Sequence, residues 1–332
     1  MSAASQSVVS PAMASFVNIH LGLAVPNLLT QKTPLCNVIG YHHLGVAVTD
    51  VQKSLDFYFK IGFKEIPEKS TSSVKVVANR GGLECHLFHS DKGLDDPNCN
   101  LLMDYPTQKW AGHTHASFSV PNVQSTAKYF ENVGLAVSGE RKHEGVLKAI
   151  FTRDPDRTTF EFERNFGEPL DEEVTASSIG YPQCLDHVGI RVTKPLESII
   201  FYAENFGFIQ EISKYEPNPI ALKNFAPWIT RTPTRCDINF IINANIESKD
   251  NVLVNKVEVR PGIVYVGFTV DDLAKAETNL RAAGLEVYTE VELATSRIGR
   301  LAEKIIFTHP DGRRSLFVLD HDSNVIRLVD NK

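Results

Sequence analysis

No stretch of the 332-residue chain stays apolar long enough to cross a bilayer, which excludes an ordinary helical membrane span. No Cys-x-x-Cys pair occurs, and the five cysteines are an odd number; this argues against a disulfide framework and fits reduced thiols in a cytoplasmic protein. An excess of positive charge is missing too. The 34 Lys and Arg stand against 40 Asp and Glu, so nucleic acid is not an expected partner. A glycine-rich phosphate loop and a Gly-x-Ser-x-Gly elbow are both absent, which removes two common catalytic readings. The first 31 residues lack any Lys or Arg; they are rich in Ser and Ala, with an apolar stretch from Phe16 to Leu29 broken by Pro26. Neither the basic start of a secretory signal nor the arginines of a transit peptide is there, so residues 1–37 are read as an arm, disordered or packed on the body.

What is present is a repeat. At 42% hydrophobic and 22% charged the composition is that of a globular protein, and the length suits two domains. Four times, a short alternating strand runs into an amphipathic helix that ends at glycine: Tyr41 to Val48, His113 to Val120, Leu185 to Val192 and Ile263 to Val270. The first three strands carry a histidine at the same point, His43, His115 and His187, at a constant interval of 72 residues, and the fourth has Tyr265 there. Asp50, Asn122 and Asp272 are placed to cap the following helices, Pro195 to start the third, and Gly62, Gly134, Gly207 and Gly284 to end them. Further strands follow each helix, and Asp154-Pro155-Asp156 reads as a tight turn between two of them. The pattern predicts an α+β fold of four strand–helix–strands units, paired in chain order into two domains, 38–166 and 183–332, with a linker at 167–182.

A lone histidine in a strand is more often a hydrogen-bonded structural residue than a ligand. Here His86 follows His43 by 43 residues and Glu161 follows His115 by 46, near-equal intervals in two copies of one unit. Imidazole and carboxylate together suit a divalent Zn, Ni, Mn or Fe(II) ion. Strand alternation puts Glu84 on the face of His86 and His113 on the face of His115, as alternate ligands or outer partners, and turns His42 away.

The motifs His43-Leu44-Gly45-Val46-Ala47-Val48-Thr49-Asp50, Leu55-Asp56-Phe57-Tyr58, Ile61-Gly62-Phe63, Asp154-Pro155-Asp156 with Phe160-Glu161-Phe162, and Phe268-Thr269-Val270-Asp271-Asp272-Leu273 with Ala282-Ala283-Gly284 resemble the vicinal oxygen chelate superfamily. That superfamily includes glyoxalase I, extradiol dioxygenases, fosfomycin-resistance proteins and 4-hydroxyphenylpyruvate dioxygenase. The resemblance covers about residues 38–330 and speaks to fold more than to reaction. It implies βαβββ units joined into cups of curved mixed sheet, with ligands from the first and last strand of each unit. Carried over residue by residue, it implies His43, His86, His115 and Glu161 in the first domain. In the second it implies His187, Asn239 and Tyr265, with the last-strand position open between Leu316, Leu319 and Arg327. That second cup is expected to be a pocket without metal.

The full set of four, with Glu161 doubling as base, implies a glyoxalase-like lyase or isomerase acting on a small hydroxy-carbonyl or keto substrate. If His86 stands off, His43, His115 and Glu161 imply an Fe(II) extradiol or keto-acid dioxygenase. Cups without metal would leave a non-catalytic small-ligand-binding protein. A homodimer is compatible with each of these. The aromatic and basic segment from Asn224 to Thr234 reads as a lid over the second cup or as a domain interface.

Overall fold

The computed structural model describes residues 33–92, 109–164, 184–211, 228–230, 236–241, 247, 251–305 and 313–331. The arm before residue 33, the linker at 167–182 and most of the 224–234 segment lie outside the described residues. Four βαβββ units follow one another. The first is β1 (Val38–Val48), α1 (Val51–Lys60), β2 (Lys64–Glu65), β3 (Val74–Ala78) and β4 (Glu84–His89). The second is β5 (Gly112–Ser119), α2 (Val123–Asn132), β6 (Gly139–His143), β7 (Val146–Arg153) and β8 (Thr159–Glu163). The third is β9 (Cys184–Arg191), α3 (Pro195–Phe206), β10 (Ile209–Glu211), β11 (Trp228–Thr230) and β12 (Asp237–Ile241). The fourth, β13 (Gly262–Val270), α4 (Leu273–Ala282), β14 (Val287–Thr289), β15 (Ser315–Leu319) and β16 (Val325–Asp330), carries two extra short helices, α5 (Glu290–Leu293) and α6 (Gly299–Lys304). No helix among the described residues is long and apolar enough to cross a membrane.

Local chemistry starts and stops the helices where the sequence predicts. The Asp50, Asn122 and Asp272 side chains accept from the backbone N–H of Lys53, Ser125 and Lys275 at 3.1, 2.9 and 2.9 Å. Each cap is worth about 0.5–2 kcal/mol relative to alanine. Helix α3 has no side-chain cap and begins instead at Pro195; Gly207 ends it in the left-handed region at φ 73°.

Within every unit the first strand pairs in parallel with the last. Between units the pairing is antiparallel through the first strands, and it corrects the expected arrangement. β1 pairs with β13 and β5 with β9, so the first unit joins the fourth and the second joins the third. Neighbours in sequence do not share a cup. They meet on the helix side, in a core where Tyr58 packs on Phe160 at 5.7 Å and Phe63 on Phe118 at 5.8 Å.

Two matching turns also tie sequence neighbours together. Asp154 accepts from the N–H groups of Asp156 and Thr158 at 2.9 and 2.8 Å, and Asp156 accepts from Thr49 N and Oγ1 in the first unit at 3.1 and 2.6 Å. In the fourth unit Asp320 accepts from Asp322 and Asn324, and Asp322 from Thr193 of the third. The second turn, Asp320-His321-Asp322, has no proline and was not expected.

Burial, reinforced by the Asp156 charge, pushes the Asp154 carboxyl from 3.8 up to about 8. The fold therefore favours the neutral acid. Stability from this group is full below about pH 4 and is lost as the pH rises toward 8. Asp154→Asn should remove that loss, so the melting temperature of the variant relative to the parent should rise from pH 5 to pH 9. A difference that does not change with pH in thermal denaturation would refute the assignment.

Candidate metal centre

The strand register puts one residue of each unit in an equivalent place on the first strand and one on the last. The first-strand positions are His43, His115, His187 and Tyr265. The last-strand positions are His86, Glu161, Asn239 and Arg327, which lie beside Gly45, Ser117, Gly189 and Gly267. The open choice in the fourth unit is thus resolved to Arg327, not Leu316 or Leu319. Because the units pair crosswise, the expected quartet is divided. His115 and Glu161 share a cup with His187 and Asn239, while His43 and His86 share the other with Tyr265 and Arg327. The four expected ligands do not converge. Among the described residues, the groups of potential ligand atoms that do come together are His115–Glu161–His187 and Glu163–Asp186–His187.

In the cup of the second and third units, His115 Nε2 and His187 Nε2 are 3.1 Å apart. Glu161 Oε2 lies 3.5 Å from the first and 3.6 Å from the second. Ligand atoms held at about 2.1 Å from one ion, at angles between tetrahedral and octahedral, are about 3.0–3.4 Å apart. The observed triangle fits such an ion within a few tenths of an ångström. The antiparallel strands make this approach feasible by setting each ring against a small residue: His115 against Gly189, His187 against Ser117. A β-carbon at Gly189 would lie 2.1 Å from the His115 ring. The His187 side chain is fully buried and that of Glu161 is 3% exposed, whereas His115 is 13% exposed, so solvent reaches the cluster past His115.

The electrostatics are those of a charged cluster out of water. Burial alone would lower His187, but hydrogen bonds to Asp186 and Glu163, with the charges of Glu163 and Glu161, raise it to about 10. Burial and the neighbouring His187 hold His115 down near 3. Burial pushes Glu161 up to about 7, while bonds and charge from His187 and Arg141 overcome burial at Glu163 and hold it near 2. Arg141 takes the far oxygen of Glu161 at 2.9 Å and leaves the other facing the histidines.

The cup of the first and fourth units is filled. Val76, Phe88, Leu293, Leu301, Phe317 and Val325 form a second buried apolar cluster there, with α5 and α6 supplying the plug. His43 and His86 stack at 4.2 Å, and Tyr265 meets His43 edge-on at 5.5 Å. Arg327, fully buried, donates to Glu290 at 2.8 Å and to Ser315 at 3.1 Å, with its guanidinium 5.2 Å from the Phe317 ring centre. A fixed cation in a ligand position disfavours a second one. Glu84 bonds His86 at 3.1 Å and pairs with Lys69, in this filled cup and away from the His115–Glu161–His187 cluster.

Two alternation readings are corrected. A register slip between Tyr41 and His43 leaves His42 outside the ladder, and its Nδ1 sits 2.8 Å from that of His43 instead of pointing away. A slip between His113 and His115 pairs His113 with Ile190 and Ile263 of the helix-side core. His113 is therefore not beside His115's ligand atom. Burial alone lowers it to about 3. Sequence reading missed Thr114, Arg141, Glu163 and Asp186. The Asp186-His187 adjacency was the one visible signal.

The sequence model of the Glyoxalase/Bleomycin resistance protein/Dioxygenase superfamily matches residues 40–162 and 184–328. The chain belongs to this superfamily. Each matched block holds two units that are neighbours in sequence, and each cup takes one unit from each block. A putative dioxygenase from Bacillus subtilis superposes with a TM-score of 0.57 at 10% identity, over 89% of this chain and 86% of that one. Glyoxalase I from Zea mays superposes with a TM-score of 0.52 at 15% identity, over 88% and 92%. At these identities the likeness is one of fold. No curated protein sequence matches this superfamily member significantly.

Gly189→Ala should displace the His115 ring and weaken divalent-metal binding by at least about tenfold in a chelator competition titration. Gly40→Ala, which would meet nothing within 4 Å, should bind as the parent does. Equal affinities for the two variants would show that the Gly189 seat is not needed.

Proposed function

We propose that this chain is a metal-dependent enzyme whose working cup lies between the second and third units. His115, His187 and Glu161 hold one divalent ion at a two-histidine-one-carboxylate face, and a small vicinal-oxygen substrate, a hydroxy-carbonyl, keto acid or catechol, binds beside it. The observation that carries this reading is the 3.1, 3.5 and 3.6 Å triangle of ligand atoms. At the counterpart of Glu161 stands Asn239, an amide, which can hydrogen-bond a substrate oxygen but cannot take a proton. With a single carboxylate facing the histidines, the set supports dioxygen chemistry ahead of the glyoxalase-like isomerisation, which calls for a free carboxylate base.

An Fe(II) ion at such a face would supply open positions for dioxygen and substrate and Lewis acidity toward the bound oxygens. The protein's own part is to place it. Arg141 bonds Glu163 and sets its charge 2.9 Å from the far oxygen of Glu161. Asp186, Glu163 and Thr114 hold the far nitrogens of the two rings. The His187 and Glu161 side chains are buried, and the cluster meets solvent past His115 and Arg141. A lyase or isomerase is the second reading, in which Glu161, whose carboxyl burial pushes up, leaves the ion and serves as the base. Cys36, Cys85 and Cys236 are buried, and a reducing compartment such as the cytoplasm is part of this reading.

Metal analysis of purified protein should find His115→Ala, Glu161→Ala and His187→Ala depleted, and His43→Ala loaded like the parent. Retention of metal by the first three would remove the site. With Fe(II) and a panel of catechols and keto acids, oxygen uptake is expected. Metal-dependent turnover of a hemithioacetal without oxygen uptake would favour the lyase or isomerase, and binding without turnover of either panel would leave a ligand-binding protein.

A further inference from the structure

In all four first strands the residue immediately before the inward ring drops out of the antiparallel ladder; β1 also skips Ile39, near its start. His42 is skipped between the pairs Tyr41–Phe268 and His43–Gly267, and Thr114 between His113–Ile190 and His115–Gly189. Asp186 is skipped between Leu185–Phe118 and His187–Ser117, and Val264 between Ile263–Val46 and Tyr265–Gly45. An extra residue in one strand rolls its side chain out of strict alternation, here onto the same face as the ring that follows. The missing side chain of Gly189 shows this directly, since a β-carbon there would meet both the His115 ring and Thr114 Oγ1, at 2.1 and 2.8 Å.

In the three units with a histidine, that displaced side chain reaches the ring's Nδ1. The distances are 2.8 Å for His42 to His43, 2.9 Å for Thr114 to His115 and 2.9 Å for Asp186 to His187. The fourth unit has a valine, and a tyrosine after it. For the two rings of the metal centre the partner's chemistry decides the tautomer. Thr114 Oγ1 lies 3.2 Å from the Gly189 carbonyl, which can only accept, so its one proton goes there and it accepts from His115 Nδ1–H. Asp186 accepts from His187 Nδ1–H and is itself held by Ser119 Oγ at 3.2 Å. His115 then keeps the Nε2 lone pair, His187 offers its own once an ion displaces the Nε2 proton it shares with His115, and both Nε2 atoms face Glu161.

We propose that Thr114 and Asp186 are positioning residues of the metal centre, each using a β-bulge to grip Nδ1 of the next residue and so present Nε2 to the ion. This deepens the metal-enzyme reading and rests on it. The two grips are unequal. Glu163 Oε1 lies 3.2 Å from the same His187 nitrogen, so His187 has a reserve acceptor, whereas Thr114 grips His115 Nδ1.

Cobalt(II) titration of the metal-free full-length protein, read by its visible absorption and by chelator competition, tests this. Thr114→Val should bind about 10–100-fold more weakly, the usual effect of losing an outer partner. Thr114→Ser, which keeps the hydroxyl, should bind like the parent, and Asp186→Asn should lose less than Thr114→Val. Nitrogen-15 spectra of the metal-free histidines should show the Nδ1–H form for His115 in the parent and in Thr114→Ser, with the Nε2–H form appearing in Thr114→Val. If Thr114→Val keeps the parent's affinity and tautomer, or if Thr114→Ser falls as far as Thr114→Val, the hydroxyl does not position the ring and the proposal is overturned. If the parent binds no cobalt, the metal centre itself is lost, whatever the spectra of the variants.

Discussion

The antiparallel contact between β5 and β9 is the constraint on which the site depends. It is a backbone ladder between two strands of the same pattern, and its register sets a ring against a small residue twice over, His115 on Gly189 and His187 on Ser117. Only that offset lets two imidazoles lie with their Nε2 atoms 3.1 Å apart in a close-packed sheet. A slip of one residue would turn both rings into the helix-side core. The bulges at Thr114 and Asp186 belong to the same device, since each adds a hydrogen-bonding side chain on the ring's own face without moving the ring.

The two cups are filled differently within one duplicated scaffold. Burial of charge is costly unless it is paired, and each cup meets that cost in its own way. In the cup of the second and third units, carboxylates outnumber arginines around two imidazoles, and a cation is the natural complement. In the other cup the cation is covalent, the guanidinium of Arg327, with Glu290 as its counter-charge and aromatic rings on its flank. There α5 and α6 close the concave face with apolar side chains, so this cup is part of the core. Charge and apolar filling together give this half a structural part.

Much of the fold was legible along the chain, because its causes are local. Alternation and helical spacing marked the four first strands and their helices, and the Asp, Asn and Pro starts and Gly stops bounded them. The 72-residue interval identified His43, His115 and His187 as equivalent, and the family resemblance put two of the three residues that come together, His115 and Glu161, in one set. His187 was seen but assigned to a separate pocket. Thr114 was invisible as a partner and Asp186 showed only as the neighbour of His187, because a bulge adds no mark to the pattern of a strand: the residue that leaves the ladder looks, in sequence, like any outward-facing neighbour. His42 and His113 were misjudged for the same reason.

The sequence by itself determined the repeating unit, its helices and the inward position in each unit that carries a ring, since these follow from short-range periodicity and capping. Which unit faces which was decided only by the tertiary structure. All four first strands offer the same kind of edge, so nothing within any of them names its partner; the choice rests on how the helix-side cores and the Asp154 and Asp320 turns clasp neighbours back to back and leave their free edges to more distant units. That pairing, more than the identity of any one residue, turned an expected quartet in one domain into a triad shared between two.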